Sequence, residues 1–281
     1  MKKHLIIALT LFLSSNLKAQ ENGSYLYANV GGGFHNLSYG LKNGNEQGRL
    51  GYSFLAGYGF NFSNHWGLQT GIGLQSFNPV ATLNYLTVAP SVDADGTAYD
   101  YKTNYLNWKE KQQLLYLDLP LGLQYRFHLK DKIQILATAG MKVSIPLKTT
   151  YRSIGGEIST TGFYSQYNVE LQDLPRHGFN NITDRLTGSV SVRSSYSAFA
   201  DLGAKYALLD QLGLYAGGYV DYGLNNVAKS AGKLVYQQDG VYNGVLASDQ
   251  THSARTIALG LKAGIVWHFG NNNKEAKPVQ K

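Results

Sequence analysis

The side chains able to do chemistry are few and scattered. His252 stands beside Ser253, and His177 follows Asp173 by four residues, the residue types of a base-assisted hydrolase or acyl transferase. Neighbours in an extended chain point to opposite faces, so His252 does not present its ring to Ser253 from one strand. His177 and Asp173 fall in a long segment whose sequence sets no geometry between them. Asp93, Asp95, Gly96 and Asp100 hint at a calcium loop, but the EF-hand spacing is incomplete and no bidentate Glu follows. With no cysteine there are no disulfides, thiolate metal sites or thiol nucleophiles. The expectation is no enzyme, no metal and no cofactor, with a lipid-modifying enzyme kept as an alternative.

What the chain has in quantity is alternation. The 281 residues include 32 Gly and 21 Tyr, are 43% hydrophobic and 15% charged, and have a mean hydropathy of −0.23. From Leu50 to Val92 there is no Asp, Glu, Lys or Arg, which would suit a transmembrane helix, but the period is two. Leu50, Tyr52, Phe54, Ala56, Tyr58, Phe60 and Phe62 share one parity, while Gly51, Ser53, Gly57, Gly59 and Asn61 share the other. That is a strand with one apolar and one small or polar face.

Eight such segments are expected, at 24–36, 49–62, 65–77, 113–127, 132–146, 195–208, 211–225 and 255–269. Tight turns at Ser63-Asn64, His128 to Asp131 and Leu209-Asp210 alternate with long links at 37–48, 78–112, 147–194 and 226–254. Each run reaches the 9–11 residues that cross a bilayer at a tilt. Glycine pairs such as Gly71 and Gly73, or Gly217 and Gly218, lie within strands, where they let a wall bend around interior side chains instead of cradling phosphate.

The apolar parity decides the solvent. Leu115-Leu117-Leu119-Leu121-Leu123, the run Ile133 to Ile145 and the run Ile257 to Phe269 hold no ionised side chain on that face. A Lys or Arg facing lipid near the midplane costs about 2–4 kcal/mol, so such faces belong in a membrane, and an open sheet edge there would leave backbone groups unpaired. A soluble lipocalin-like barrel would need a more charged outer face. The expected fold is all-β: an eight-stranded antiparallel up-and-down transmembrane β-barrel with short periplasmic turns and long extracellular loops. Trp66, Phe62, Tyr125, Phe127, Tyr206, Trp267 and Phe269 gather at the short-turn ends as an interfacial girdle.

Charges on the other parity then belong in the lumen: Asp118, Lys142, Asp201, Lys205, Asp221, Lys262 and Arg126, with Arg49 near the loop end. Counting from the turn at Lys130 sets Asp118 opposite Lys142, and counting from Asp210 sets Asp201 opposite Tyr219, with Asp221 diagonally beyond. An eight-stranded interior is narrow enough for side chains to fill, so these charges read as an internal plug; a gated ion path is the alternative.

The first twenty residues carry Lys2 and Lys3, an apolar run from Leu5 to Leu13 and a small-residue end at Ala19, the layout of a secretory signal. The expected organisation is 1–19 as a cleaved signal peptide, 20–269 as the barrel and 270–281 as a short polar periplasmic tail. Losing Lys2, Lys3 and Lys18 takes the formal +7 to +4, 22 basic against 18 acidic residues, too mild to argue for nucleic acid.

At this point the chain resembles the outer-membrane β-barrel proteins related to the OmpA N-terminal domain, in the branch common in Bacteroidota. The likeness rests on "YLDLPLGLQY" at Tyr116 to Tyr125, "HGFNNITDRLTGSV" at His177 to Val190 and "LYAGGYVDYGLNN" at Leu214 to Asn226. Lys262, Gly264, Trp267 and Phe269 also resemble the family's assembly signal. The resemblance implies residence in the bacterial outer membrane, contact with outer-membrane lipid and lipopolysaccharide, and recognition by the insertion machinery. Many relatives continue into a periplasmic peptidoglycan-binding domain, and the polar residues after Phe269 do not read as one, so cell-wall anchoring is not carried over.

The expected function is structural or adhesin-like, with extracellular loops that recognise a protein or glycan ligand; a narrow porin-like channel is the alternative. Tyr151, Arg152, Tyr164, Tyr167, Arg176, Phe179 and Arg185 are the candidate recognition residues, because loops on a rigid scaffold are where binding usually resides.

Overall fold

The computed structural model describes residues 23–130, 132–183, 185–229, 232–234 and 242–269; the expected signal at 1–19 and tail at 270–281 lie outside them. The described residues form eight long strands: β1 (Ser24–Leu41), β2 (Arg49–Asn61), β3 (Trp66–Phe77), β4 (Ala98–Lys130), β5 (Ile133–Tyr164), β6 (Ser195–Ala207), β7 (Leu212–Gly223) and β8 (Thr251–His268). Each pairs antiparallel with the next in sequence, and β8 returns to β1, with Tyr25 facing His268 and Leu37 facing Thr256. The ring is closed, which is what a sheet in hydrocarbon requires.

Its polarity is that of a soluble protein turned inside out. Leu50, Leu261 and Leu202 are 79%, 74% and 63% exposed, whereas Asn29, Gln75, Gln124, Thr138 and Ser197 are buried in the lumen. The period-two pattern produces both faces at once, since successive side chains leave a strand on opposite sides. The glycines of the inner parity make room for aromatic rings: a Cβ on Gly59 would lie 2.0 Å from the ring of Tyr25.

The long links differ from the expected loops. β4 and β5 run for 33 and 32 residues, far beyond a bilayer crossing, and they stay paired from Lys130 and Ile133 out to Asp100 and Phe163. A strand at Val80–Val92 folds back on β4, Gly44–Gln47 adds to it, and Val169–Leu171, Asn181–Ile182 and Thr187–Ser189 pair with β5. Residues 78–112 and much of 147–194 are therefore a β platform standing on one wall of the barrel. Its bulge is set by Asn107 at φ 47° and Gly156 at φ 85°, where a Cβ on Gly156 would come within 2.2 Å of the Asn107 carbonyl. The bulge shifts parity, so Tyr105 before it and Trp108 after it both stay on the buried side.

The apolar core sits at the extracellular end. Leu37, Phe77, Leu83, Trp108, Leu114, Tyr116 and Ile158 from the walls meet Val227, Leu234, Val245, Leu246 and Ala247 of the fourth link, which crosses the mouth as a lid.

Candidate functional site

Three layers occupy the barrel axis. In the middle layer, Lys142 Nζ on β5 lies 3.0 Å from Asp118 on β4 and 2.7 Å from Asp221 on β7, and donates to Gln75 Oε1 on β3 at 2.7 Å. Gln75 Nε2 donates in turn to Asp221 at 2.8 Å. Lys262 on β8 pairs with Asp201 on β6 at 2.7 Å. Asp118, Lys142, Asp201 and Asp221 are buried and Lys262 is largely so, with the ion pairs and hydrogen bonds that such burial demands.

The register between β4 and β5 differs from the count made along the sequence. Asp118 faces Ser144, Lys142 faces Pro120, and the pair meets diagonally, because the hairpin closes between Lys130 and Ile133, beyond the Lys130 centre from which the count started, and the bulge at His128 to Lys130 takes back only one residue of that offset. Asp201 does face Tyr219, with Asp221 one rung farther along β7.

Three expected members of this network lie elsewhere. Near the short turns, Arg126 Nη2 donates to the Ser63 carbonyl at 2.5 Å, and Lys205 Nζ lies 2.9 Å from His268 Nε2. Arg49 is exposed at the loop end of β2 and joins no described ion pair. The lumen also holds a pair that sequence reasoning missed: His35 bonds the Ser76 carbonyl through Nδ1 at 2.8 Å and the Tyr219 hydroxyl through Nε2 at 2.5 Å. The inward parity of β1 placed His35 in the lumen, but nothing in the sequence named its partners. The space within these layers includes two cavities of about 60 and 30 Å³, room for a few waters.

The apolar lid is fastened by one carboxylate. Glu110, fully buried, accepts from the Tyr242 hydroxyl at 2.6 Å, from Gln112 Nε2 at 2.7 Å and from the Val245 amide at 3.0 Å. Trp108 Nε1 donates to Tyr242, and Tyr39 donates to Gln112. Burial pushes the Glu110 carboxyl up to about 7 against the pull of its three donors. The signal that could have found it is parity: Trp108, Glu110, Gln112 and Leu114 share the face that continues into Tyr116 and Asp118.

The platform divides the expected recognition residues. Tyr151, Tyr164 and Phe179 are buried, which corrects their reading as surface contacts: Tyr151 donates to the Tyr242 carbonyl at 2.9 Å, and Phe179 packs against Tyr99 and Tyr101. Tyr164 stacks on Tyr99 at 5.0 Å, while Tyr167 is 68% exposed and Arg152, Arg176 and Arg185 are exposed. Tyr164, Tyr167, Leu174 and His177 line an open groove of about 430 Å³ with Asp93 and Asp95 on its rim. Asp93 is used by the backbone, accepting from the Asp95 and Thr97 amides, and no metal-ligating group is found among the described residues. His252 and Ser253 are exposed at the start of β8, and His177 stacks on Phe179. Of the residues expected to form an assembly signal, Lys262 points into the lumen, Trp267 and Phe269 are about half exposed, and Gly264 lies against β1, where a Cβ would meet the Ala28 carbonyl at 2.1 Å.

The profile of the family described as "Outer membrane protein beta-barrel domain" matches residues 5–217. No curated protein matches the chain significantly. Similar solved structures include Neisserial surface protein A, at 14% identity and TM-score 0.38, covering 88% of this chain and 97% of that one. OprG from Pseudomonas aeruginosa follows at 10% and 0.40, covering 89% and 97%. Ail, the attachment invasion locus protein of Yersinia pestis, solved with the heparin analogue sucrose octasulfate, stands at 9% and 0.34, covering 87% and 99%.

Proposed function

The chain belongs to the outer membrane protein β-barrel domain family, and on that premise we propose that it is a surface-recognition protein of the bacterial outer membrane. The barrel anchors and the platform recognises a protein or glycan outside the cell. The observation that carries this reading is the paired extension of β4 and β5, with its own apolar core and an aromatic groove with an acidic rim at its far edge. A preorganised β surface loses little conformational freedom on binding, unlike a free loop. Tyr167 offers a ring face above the buried Tyr164, and Asp95 and His177 offer polar edges, the combination that suits sugar rings or an aromatic-rich peptide.

In the same reading, residues 1–19 are removed on export, and the machinery that inserts the barrel reads Lys262, Gly264, Trp267 and Phe269. Against a channel stand the ion pairs and the lid, two successive seals across one narrow lumen.

The test is binding of whole cells displaying the full chain to glycan arrays and to immobilised extracellular-matrix proteins. Tyr167→Ala with His177→Ala should lower binding about tenfold, the loss of one good aromatic contact. Unchanged binding by this variant would move recognition away from the groove. No binding by the parent, with ohmic conductance in planar bilayers, would instead favour the channel.

A further inference from the structure

The outward face of β4 and β5 changes character abruptly past the apolar band. Going up the wall, Leu121 faces Met141, Leu119 faces Val143 and Leu117 faces Ile145, all of them apolar. Then Leu115 faces Lys148, Gln113 faces Thr150, Lys111 faces Arg152 and Lys109 faces Gly155. Lys111 and Arg152 are thus two cations directly opposite each other in the sheet, an arrangement that repels unless something negative lies between or over them.

Nothing described supplies that charge. On the flanks, Lys111 faces Val80, Lys109 faces Thr82 and Arg152 faces Thr187, so the cross-strand neighbours on both sides are neutral. Glu110 points the other way and is committed to the lid, and Glu157 lies farther up, opposite Leu106. Lys109, Lys111, Lys148 and Arg152 join no described ion pair, and Lys109, Lys148 and Arg152 are exposed. Arg185 stands exposed two residues from Thr187, at the edge of the same patch.

The height of the patch selects its occupant. A strand advances about 3.3 Å per residue and tilts by about 40°, so each residue climbs roughly 2.5 Å along the membrane normal. Lys111, four residues past Leu115, stands about 10 Å above the end of the apolar band, and long basic side chains reach back several ångströms. The ammonium and guanidinium groups therefore lie in the headgroup layer. Guanidinium and paired ammonium groups at that depth suit phosphate, which Arg grips bidentately.

We propose that Lys109, Lys111, Lys148 and Arg152 form a site for the phosphate groups of outer-leaflet lipid, fixing one wall of the barrel to its lipid neighbours. The site lies at the foot of the platform, where it leaves the barrel wall, and does not depend on what the distal groove binds.

Native mass spectrometry of the detergent-purified full chain tests this with three probes: bisphosphorylated lipid A, the same lipid after phosphatase treatment, and inorganic phosphate. Lipid A should bind the parent, and its affinity should fall about tenfold or more on dephosphorylation and in the K111Q/R152Q variant. Inorganic phosphate at equal concentration should fail to displace it. Equal binding of the dephosphorylated lipid, or equal binding by K111Q/R152Q, would overturn the site. Displacement by inorganic phosphate would overturn the lipid assignment and leave a free-anion site. Heat-modifiable migration on gels reports folding of the variants. Should K111Q/R152Q not fold, K109Q/K148Q is measured in its place, with the same outcomes decisive.

Discussion

Lys142 on β5 and Asp221 on β7 meet at 2.7 Å although β6 lies between their strands. The contact crosses the lumen, which only a barrel narrow enough for opposing side chains to touch allows. Removing one partner leaves the other charge buried without compensation, which typically costs about 3–5 kcal/mol. K142M should therefore lower unfolding stability by about that much, read from tryptophan fluorescence against urea in lipid vesicles. D221N should cost less, because an amide still accepts from Lys142 and Gln75.

Conductance follows a different rule, since the apolar lid and the ionic layer lie in series. K142A alone should leave planar bilayers without ohmic steps. The same change combined with deletion of 242–248 should produce them, because it removes Val245, Leu246 and Ala247 as well. Steps from K142A alone would show that the lid is not a seal.

The lid should loosen as pH rises. Glu110 has a carboxyl pKa of about 7 when the lid is docked, above the ordinary carboxylate value it regains when released. Below the ordinary value both states hold the proton and docking carries no penalty. Between that value and about 7 only the released state ionises, so docking weakens with rising pH and levels off above 7. Hydrogen exchange at the Val245 amide should be slower at pH 5 than at pH 8 after correction for intrinsic rates, and E110Q should flatten the difference.

Depth along the lipid face should set the cost of a charge. Leu121→Arg, within the apolar band, should cost about 2–4 kcal/mol, and Leu115→Arg, at its edge beside Lys148, about 0–1 kcal/mol. Equal costs in vesicles would place the membrane elsewhere on the wall.

At the bulge, Gly156→Ala meets both the positive φ of 85° and the Asn107 carbonyl. Exchange protection at Thr103 and Thr160 should fall by more than about 1 kcal/mol while Asp118 and Ser144 keep theirs. A uniform loss across both regions would mean that platform and barrel unfold as one unit.

The parts of the fold visible in the sequence were those where lipid sharpens the contrast between faces. Leu115 to Leu123 and Ile257 to Phe269 announce their parity because one side must be apolar and the other must not. Past Gln113 that contrast fades: both faces of Tyr99 to Lys111 are mixed, since one meets water and the other a modest protein core, and a strand there reads like a polar loop. Tyr151, Tyr164 and Phe179 were misplaced for the same reason, as loop aromatics give no sign of whether a platform buries them. The lumen charges were legible one by one from their parity. Which of them touch was not, because the exact closure of the hairpin at Lys130 and Ile133 and the bulge beside it move Lys142 by one rung, and contacts across a barrel depend on closure that no local pattern encodes.

The seam between β1 and β8 sets the order of events in the protein's biogenesis. Tyr25 finds His268 only after nearly the whole chain between them has been made and delivered, so the ring has no closed intermediate made of fewer strands. Contacts so distant in sequence form slowly. Until they form, the outer edges of β1 and β8 are unsatisfied rows of amides and carbonyls that any other strand could pair with. The chain must therefore be shielded from its own kind while it crosses to the membrane. A truncation that removes even the last strand would yield an adhesive open sheet and not a smaller barrel.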